Sequence, residues 1–429
     1  MYSSSSTSSL SSSSFSSSSS FSSSSDKGER VYNKNNEAQL KPSEKKALEE
    51  LRKKLEMKIK TKTLRSFKSR EKEEEEEEVS LWGVPLLPSK QDEGTNPVLV
   101  KFLKAREFKV NEAMEMLERT LLWRKEHKIE RIMEEDELEN EKVMFIDGVD
   151  KEGHPICYNN INYGNGEGEE RMLMRRRVRS MEEGIRLLRF KEGGVMEMLQ
   201  VTDLKNTLKR RTINGGDDDG SVKEMRSRSM KAVSVLQDNY PELVHKNIFV
   251  NVSFGYYVYN ALVAPLISQR SKSKFIFARP QKVTETLLKF ISPERLPIQY
   301  GGLKRDNDNE FKAEDEVSEK YIRGGEKETI EILIHEAGVT VVWDITVVGW
   351  EVTYKEEFIP DDEGSYRVLI RKEMRMGESM RNSFHISEPG KVVLTIKNRT
   401  FKRKKIFYRT KTKPTIYLYN LLSKKHHHV

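Results

Sequence analysis

The chain has 429 residues, 34% of them charged, with 76 Lys or Arg against 68 Asp or Glu and a formal net charge of +8. That length holds two or three domains, and the single cysteine, Cys157, excludes an intramolecular disulfide and a cysteine-rich zinc site. The charge balance does not choose among nucleic acid, anionic lipid and acidic protein as partners, while the cysteine usage fits a reducing compartment such as the cytosol.

The chain opens on "MYSSSSTSSLSSSSFSSSSSFSSSS". This stretch lacks the cationic start and apolar centre of a signal peptide; its Ser-rich, acid-poor composition leaves a chloroplast-type transit peptide as the alternative, although the arginine of one is missing. It reads as a disordered tail open to phosphorylation. From Pro42 to Lys60, Leu48, Leu51, Leu55 and Ile59 recur at helical spacing, with Lys and Glu on the other faces. That pattern suggests a solvated or partner-binding helix. Six adjacent glutamates, Glu73 to Glu78, repel one another and read as a flexible linker. Residues 1–78 are therefore expected to be a disordered Ser-rich and charged tail carrying a helix at 43–60.

Order is expected from Val79. "SLWGVPLL" supplies an apolar cluster, and Asn96-Pro97 opens a helix. Asn111 caps a second helix with Ala113, Met116, Leu117, Leu121 and Trp123 on one side. Residues 79–130 form a helical unit. Strand and helix patterns then alternate: "KVMFIDGVDKEGHPICYNN" as two strands, a helix around Arg171–Leu188, a strand at Val195–Leu204, a helix at Val222–Gln237, and strands at Asn247–Val252 and Lys274–Ala278. Such alternation implies parallel β-α-β units, so residues 131–302 read as an α/β domain. From Ile330 to Ile396, five segments alternate apolar and polar positions, including Trp350–Tyr354 and Tyr366–Ile370. They predict an antiparallel β-sandwich over 303–422, ahead of a basic, His-rich tail at 423–429.

Enzyme motifs are poor. "HEAG" at His335 lacks a second histidine one helical turn on, and "YGNGEGEE" lacks the spacing of a dinucleotide loop. "GGDDDG" misses the ligand spacing of a calcium loop. Cys157 falls in a strand and reads as packing. His426, His427 and His428 are metal-binding in type, but a terminal tract is usually incidental. No catalytic residue, metal site or cofactor is expected.

Two features carry more. From Lys391 to Val429 there are twelve Lys or Arg and no Asp or Glu, a field suited to an anionic partner. The other is "FGYYVYNALVAPLISQRSKSK", Phe254 to Lys274, in which Phe254 to Ile267 carry no charge and Arg270, Lys272 and Lys274 follow. Its dense apolar part is shorter than the ~20 residues of a membrane span. It lies between two parallel strands, where a crossover helix is expected. Being apolar on nearly every side, it suits either an ordinary buried helix or one that covers a cavity inside and meets lipid outside.

"FLKAREFKVNEAMEMLERTLLWRKEH", "QVTDLKN", "LQDNYPELVHKNIFVNV", "SKSKFIFARP" and "ERLPIQYGGL" together resemble the CRAL-TRIO lipid-binding fold of phosphatidylinositol-transfer proteins. "VTVVWDITVVGWEVTYKEEFIP", "YRVLIRKEMRM" and "KKIFYRT" resemble the GOLD domain. CRAL-TRIO followed by GOLD, after an acidic extension, resembles the patellin family over roughly residues 80–415. The resemblance implies an α/β lipid cavity closed by a gate helix, then an all-β GOLD sandwich. It implies a non-enzymatic, cytoplasmic, membrane-peripheral protein that binds and transfers phospholipid, phosphoinositide above all, in trafficking and cell-plate formation. The bound phospholipid is a ligand, not a cofactor. Expected partners are anionic membranes, phosphoinositides and trafficking proteins met through GOLD, with no nucleic acid. The alternative is a trafficking adaptor whose GOLD domain binds proteins and whose cavity is vestigial.

Carried onto this sequence, the resemblance assigns Arg106, Glu242 and Lys274 to the lipid headgroup. It assigns Phe254, Tyr256, Tyr257, Tyr259, Leu262, Leu266 and Ile267 to the gate helix. Arg270, Lys272, Lys402, Arg403, Lys404 and Lys405 are expected to face the membrane. Cations pair with phosphate oxygens, and a carboxylate accepts from inositol hydroxyls or orients Lys274. Three positions depart from the relatives. Glu107 stands where a second cation is common, and Met198 and Gln200 stand where Ser and Thr contact phosphate, so the lipid's identity is open.

Overall fold

The computed structural model describes residues 40–64, 79–87, 92–134, 144–160, 167–205, 234–252 and 273–415. The Ser-rich stretch, the acidic run, "GGDDDG", the helix expected at Val222–Gln237 up to residue 233, the gate residues Phe254 to Ile267 with Arg270 and Lys272, and the terminal histidines lie outside them.

Three helices form the first packed unit: α1 (Pro42–Lys60), α2 (Thr95–Ala105) and α3 (Val110–Glu126). Pro42 starts α1, where its missing N–H costs nothing, and the Glu44 carboxylate accepts the Lys41 backbone N–H at 2.9 Å. Leu48, Leu51 and Leu55 are at most 2% exposed and share one core with Ala113, Met116 and Leu117 of α3. This corrects the tail reading of α1. Its charged faces are solvated, but its leucine stripe is buried, and Lys58 pairs with the buried Glu118 at 2.8 Å. A short hairpin, β1 (Ser80–Leu81) and β2 (Val84–Pro85), brings Trp82 into the same core between Phe102 and Phe190, with ring centroids at 5.9 and 5.6 Å.

The α/β domain is built on one five-stranded sheet. Its strands are β3 (Met144–Val149), β4 (Pro155–Asn160), β5 (Met198–Asp203), β6 (Val244–Val250) and β7 (Phe275–Phe277), lying side by side in that order. The β3–β4 pair is antiparallel and the other three pairs are parallel. On one face Ile156, Tyr158, Leu199, Val201, Ile248 and Val250 pack against α5 (Val283–Leu287) and the turns after it. On the other, Met144, Cys157 and Met198 join the helical core through α4 (Glu167–Arg186) and its Val178, Met181 and Ile185. Cys157 is 2% exposed, as its strand position predicted, and burial pushes its thiol up to about 12. The buried Arg124 clasps Glu182 through two hydrogen bonds of 2.7 and 3.1 Å, and the Tyr240 hydroxyl donates to the same carboxylate at 2.7 Å. These contacts lock α3 to α4.

The remainder is a β-sandwich of two four-stranded antiparallel sheets. The first orders β13 (Met380–Ile386), β10 (Val339–Val347), β15 (Lys404–Pro414) and β8 (Ser318–Ile322). The second orders β12 (Val368–Met376), β11 (Val352–Pro360), β14 (Gly390–Asn398) and β9 (Lys327–Ile334). Two expected strand positions move into turns. Trp350 and Glu351 take left-handed φ angles of 49° and 55° between β10 and β11, and Tyr366 is 92% exposed ahead of β12. Period two was continued there across a turn, because an aromatic at an alternating position looks the same in either place.

Candidate lipid-binding site

Side chains alternate across a strand, so the register Gln200↔Asn247↔Phe275 and Thr202↔Phe249↔Phe277 puts these six residues on one sheet face. Phe249 stacks on Phe277 at 5.2 Å and meets Phe275 at 6.0 Å. The Thr202 hydroxyl donates to Asn247 Oδ1 at 3.0 Å. Asn159, opposite Thr202, has a buried Oδ1 with no hydrogen-bond partner among the described residues. The face is thus an aromatic floor with a polar stripe, and it suits an amphipathic ligand. The uncharged run of the sequence falls between β6 and β7 in chain order and lies largely outside the described residues. Two cavities of about 300 and 330 Å³ lie elsewhere, rich in charged or polar side chains, and neither is lined by the phenylalanines.

Beside this floor the structure brings Glu242 and Lys274 together. Lys274 Nζ donates to Glu242 Oε2 at 2.7 Å and to the Val244 carbonyl at 3.0 Å. Glu242 holds a left-handed φ of 55°, a conformation costly for a side-chain-bearing residue. A third residue fixes that turn: Lys101 of α2, fully buried, donates to the Glu242 carbonyl at 2.8 Å. Arg106 caps the end of α2, with Asp238 at 4.0 Å, and no direct contact to Lys274 or Glu242 is among those of the described residues. Glu107 follows in a left-handed turn. Met198 is buried in the helical core, and Gln200 lies on the aromatic face.

Three family models cover most of the described chain. "CRAL/TRIO, N-terminal domain" matches residues 47–119, "CRAL/TRIO domain" matches 139–302, and "Patellin-1-like, C-terminal GOLD domain" matches 323–405. Patellin-6 of Arabidopsis thaliana is 40% identical over 386 residues, covering 86% of this chain and 87% of that protein. The chain belongs to the patellin family. Patellin-4 of the same plant is 48% identical over 346 residues, or 78% of this chain. The chain spans 62% of the length of Patellin-4, under two thirds. The phosphatidylinositol/phosphatidylcholine transfer protein SFH9 of Arabidopsis thaliana is 27% identical over 239 residues, covering 52% of this chain and 39% of that protein. The first match begins inside α1, in keeping with the burial of its leucines.

The basic residues of the patellin GOLD sandwich divide by environment. The β14–β15 turn presents Phe401, Lys402 and Arg403 to solvent, with Arg403 stacked on Tyr321 at 3.9 Å. Lys405 pairs with Glu319 at 2.7 Å. Lys404 departs from a membrane-facing role: it is buried, with Nζ 3.4 Å from the Gly349 carbonyl and 3.7 Å from Glu351. Strand alternation turns it inward between the exposed Arg403 and the half-buried Lys405.

Sequence reasoning missed Lys101. The available signal was its place in "VLVKFLK", a lysine among apolar residues in a helix buried on most sides. Burial lowers its ammonium to about 8 from an ordinary 10.5, against the opposing charges of Glu197 and Glu242. Below about pH 8 both folded and unfolded chains hold this proton, and the folded state bears the full desolvation penalty. Between about 8 and 10.5 the unfolded chain binds the proton more strongly, so stability contributed here rises with pH. Wild type should gain on the order of 3 kcal/mol relative to Lys101→Met across that window. Urea denaturation at several pH values measures it, and a flat difference would mean that the amine stays charged.

Proposed function

We propose that the chain binds a phospholipid in its CRAL-TRIO domain and transfers it between membranes as a peripheral protein. The observation that carries this reading is the aromatic floor of Phe249, Phe275 and Phe277 beside the Lys274–Glu242 pair. Acyl chains lie on the floor, where each buried CH₂ contributes about 0.8 kcal/mol. Lys274 takes the headgroup phosphate, Glu242 orients Lys274 and accepts from inositol hydroxyls, and Arg106 serves at the rim. The uncharged stretch from Phe254 to Ile267, with Tyr256, Tyr257 and Tyr259, lies outside the described residues, and this reading assigns it the role of gate. The name of the transfer-protein relative supports lipid exchange as the activity, and phosphoinositide is the headgroup that best uses a cation beside a carboxylate.

Membrane contact is peripheral in this reading. No helix among the described residues is long and apolar enough to cross a membrane. The exposed Phe401 between Arg399, Lys402 and Arg403 makes an aromatic wedge ringed by cations, suited to an anionic bilayer. Trafficking, including cell-plate formation, is the setting.

A second reading has one observation in its favour. Tyr366, Val368, Leu369 and Met374 are exposed on or beside the edge strand β12, and an apolar patch there suits a protein partner. An adaptor would use that edge and leave the lipid floor idle. Mass spectrometry of lipids copurified with the natively folded full chain separates the two. Phospholipid bound in proportion to protein is expected. Its consistent absence, with partner binding intact, would favour the adaptor.

A further inference from the structure

The turn joining β3 to β4 carries Asp150, Glu152 and His154, and it packs against His245 near the start of β6. The two imidazoles stack with centroids 4.3 Å apart and planes 12° apart. One ligand atom from each of Glu152, His154 and His245 lies within 4.8 Å of the other two. Glu152 Oε2 stands 3.9 Å from His154 Nδ1 and 4.0 Å from His245 Nε2. We propose that Glu152, His154 and His245 form a binding site for a divalent transition metal of the zinc class.

The chemistry of the surroundings favours a cation. A metal-bound histidine usually donates its other ring N–H to a carboxylate, which sets the tautomer and orients the ring. Glu197 Oε2 is 3.2 Å from His245 Nδ1, which leaves Nε2 with the lone pair facing Glu152. Asp150 Oδ2 is 3.0 Å from His154 Nδ1 and stands within reach as a further ligand. Its Oδ1 accepts the backbone N–H groups of Glu152 and His154 at 2.9 and 2.8 Å, so the turn is already shaped. Three carboxylates therefore surround two imidazoles, and His154 and Asp150 are buried. Imidazole nitrogen with carboxylate oxygen selects zinc-like ions over calcium or magnesium.

The fit needs a ring rotation, because an ion lies in the plane of each imidazole it binds and the two planes are now only 12° apart. Ligand bonds of about 2.0–2.2 Å give ligand-to-ligand edges of roughly 3.4 Å around a tetrahedral ion. The two edges from Glu152, 3.9 and 4.0 Å, must close by about half an ångström, and the His154–His245 edge, within 4.8 Å, must close to the same length; Glu152, 62% exposed, has room to swing. A bound ion would staple the β3–β4 turn to the start of β6, across the head of β5.

The terminal histidines would obscure the measurement, so the test uses the full chain with His426, His427 and His428 replaced by Ala. Titration with Zn²⁺ should give one saturable ion per chain, and Co²⁺ should give visible ligand-field bands. Because the ion binds only the folded chain, Zn²⁺ should also raise Tm. Glu197→Gln should weaken binding about 10–100-fold, and His245→Ala should abolish the Co²⁺ bands. Glu152→Gln, on the exposed turn, should weaken Zn²⁺ about tenfold or more without touching the fold. No saturable ion in the tail-substituted chain would overturn the site. Affinity unchanged by both Glu152→Gln and His245→Ala would overturn it equally.

Discussion

Asp344→Ala is expected to cost about 3–5 kcal/mol of stability, because it leaves several buried or half-buried guanidinium groups without their shared carboxylate. Asp344 is fully buried on β10. Arg381, Arg409 and Arg305 approach it at 2.6, 3.0 and 3.3 Å. Arg381 also forks onto Asp308 at 2.7 and 2.6 Å, and Phe311 packs against both Arg381 and Arg409. The network reaches beyond the sandwich. Arg409 donates to the Leu303 carbonyl at 2.9 Å, while Thr346 and Ser379 donate to the Gly301 and Gly302 carbonyls at 3.0 and 2.6 Å. These glycines have no room for a side chain: a Cβ on Gly302 would sit 1.9 Å from the Leu296 carbonyl oxygen. The sandwich is thus bolted to the end of the α/β domain by charge-assisted hydrogen bonds.

Chemical denaturation of Asp344→Ala and Arg305→Ala measures the network. Arg305→Ala removes one cation and should cost far less, since Asp344 keeps two others. A loss under about 1 kcal/mol for Asp344→Ala would mean that solvent reaches the site. Acid provides an independent view. Burial opposes the Asp308 charge, but hydrogen bonds from Arg381, Phe311 and Glu310 outweigh it and hold its carboxyl at about 2. A depressed folded value stabilises above the unfolded one, so this contribution is lost as pH falls from about 4 towards 2.

Lys274→Ala should weaken binding to phosphoinositide-containing liposomes at least tenfold, about 1.4 kcal/mol, with the fold unchanged. Two effects add. The phosphate loses its cation, and the Glu242 carboxylate, 16% exposed in its side chain, loses the Lys274 ammonium while it faces the incoming headgroup. Glu242→Gln removes that repulsion, so the double variant should bind better than Lys274→Ala alone. Circular dichroism and a liposome cosedimentation series decide it. Unchanged affinity in Lys274→Ala would take Lys274 out of the headgroup site. The same result in a lipid-loaded chain would leave acyl burial as the source of affinity.

Most of the element pattern was legible because it is local. Helical periodicity marks α1, α2 and α3 within single stretches of sequence, and alternation marks β9, β10, β11 and β14. The family was legible from several dense motifs in order, among them "QVTDLKN" and "KFIFARP", which begin on strands β5 and β7 or just before them. Misplacements fell where a local pattern has two outcomes. Trp350 and Tyr366 alternate correctly yet occupy turns, and Lys404 looked exposed because its neighbours are charged.

Local periodicity and composition by themselves determined the order of helical, α/β and all-β parts, the burial of Cys157 and the basic character of the C-terminal strands. Which faces meet was decided only in three dimensions. The leucine stripe of α1 was visible, but its partner on α3 lies about sixty residues away and is chosen by shape and burial. Lys101 reaches Glu242 across 141 residues, and Lys274 reaches it across 32. His154 meets His245 because β4 and β6 flank β5 in one sheet. Hydrophobic periodicity is a property of neighbours along the chain, whereas a charge pair or a ligand set is a property of neighbours in space. Only sheet order and strand register convert the first into the second.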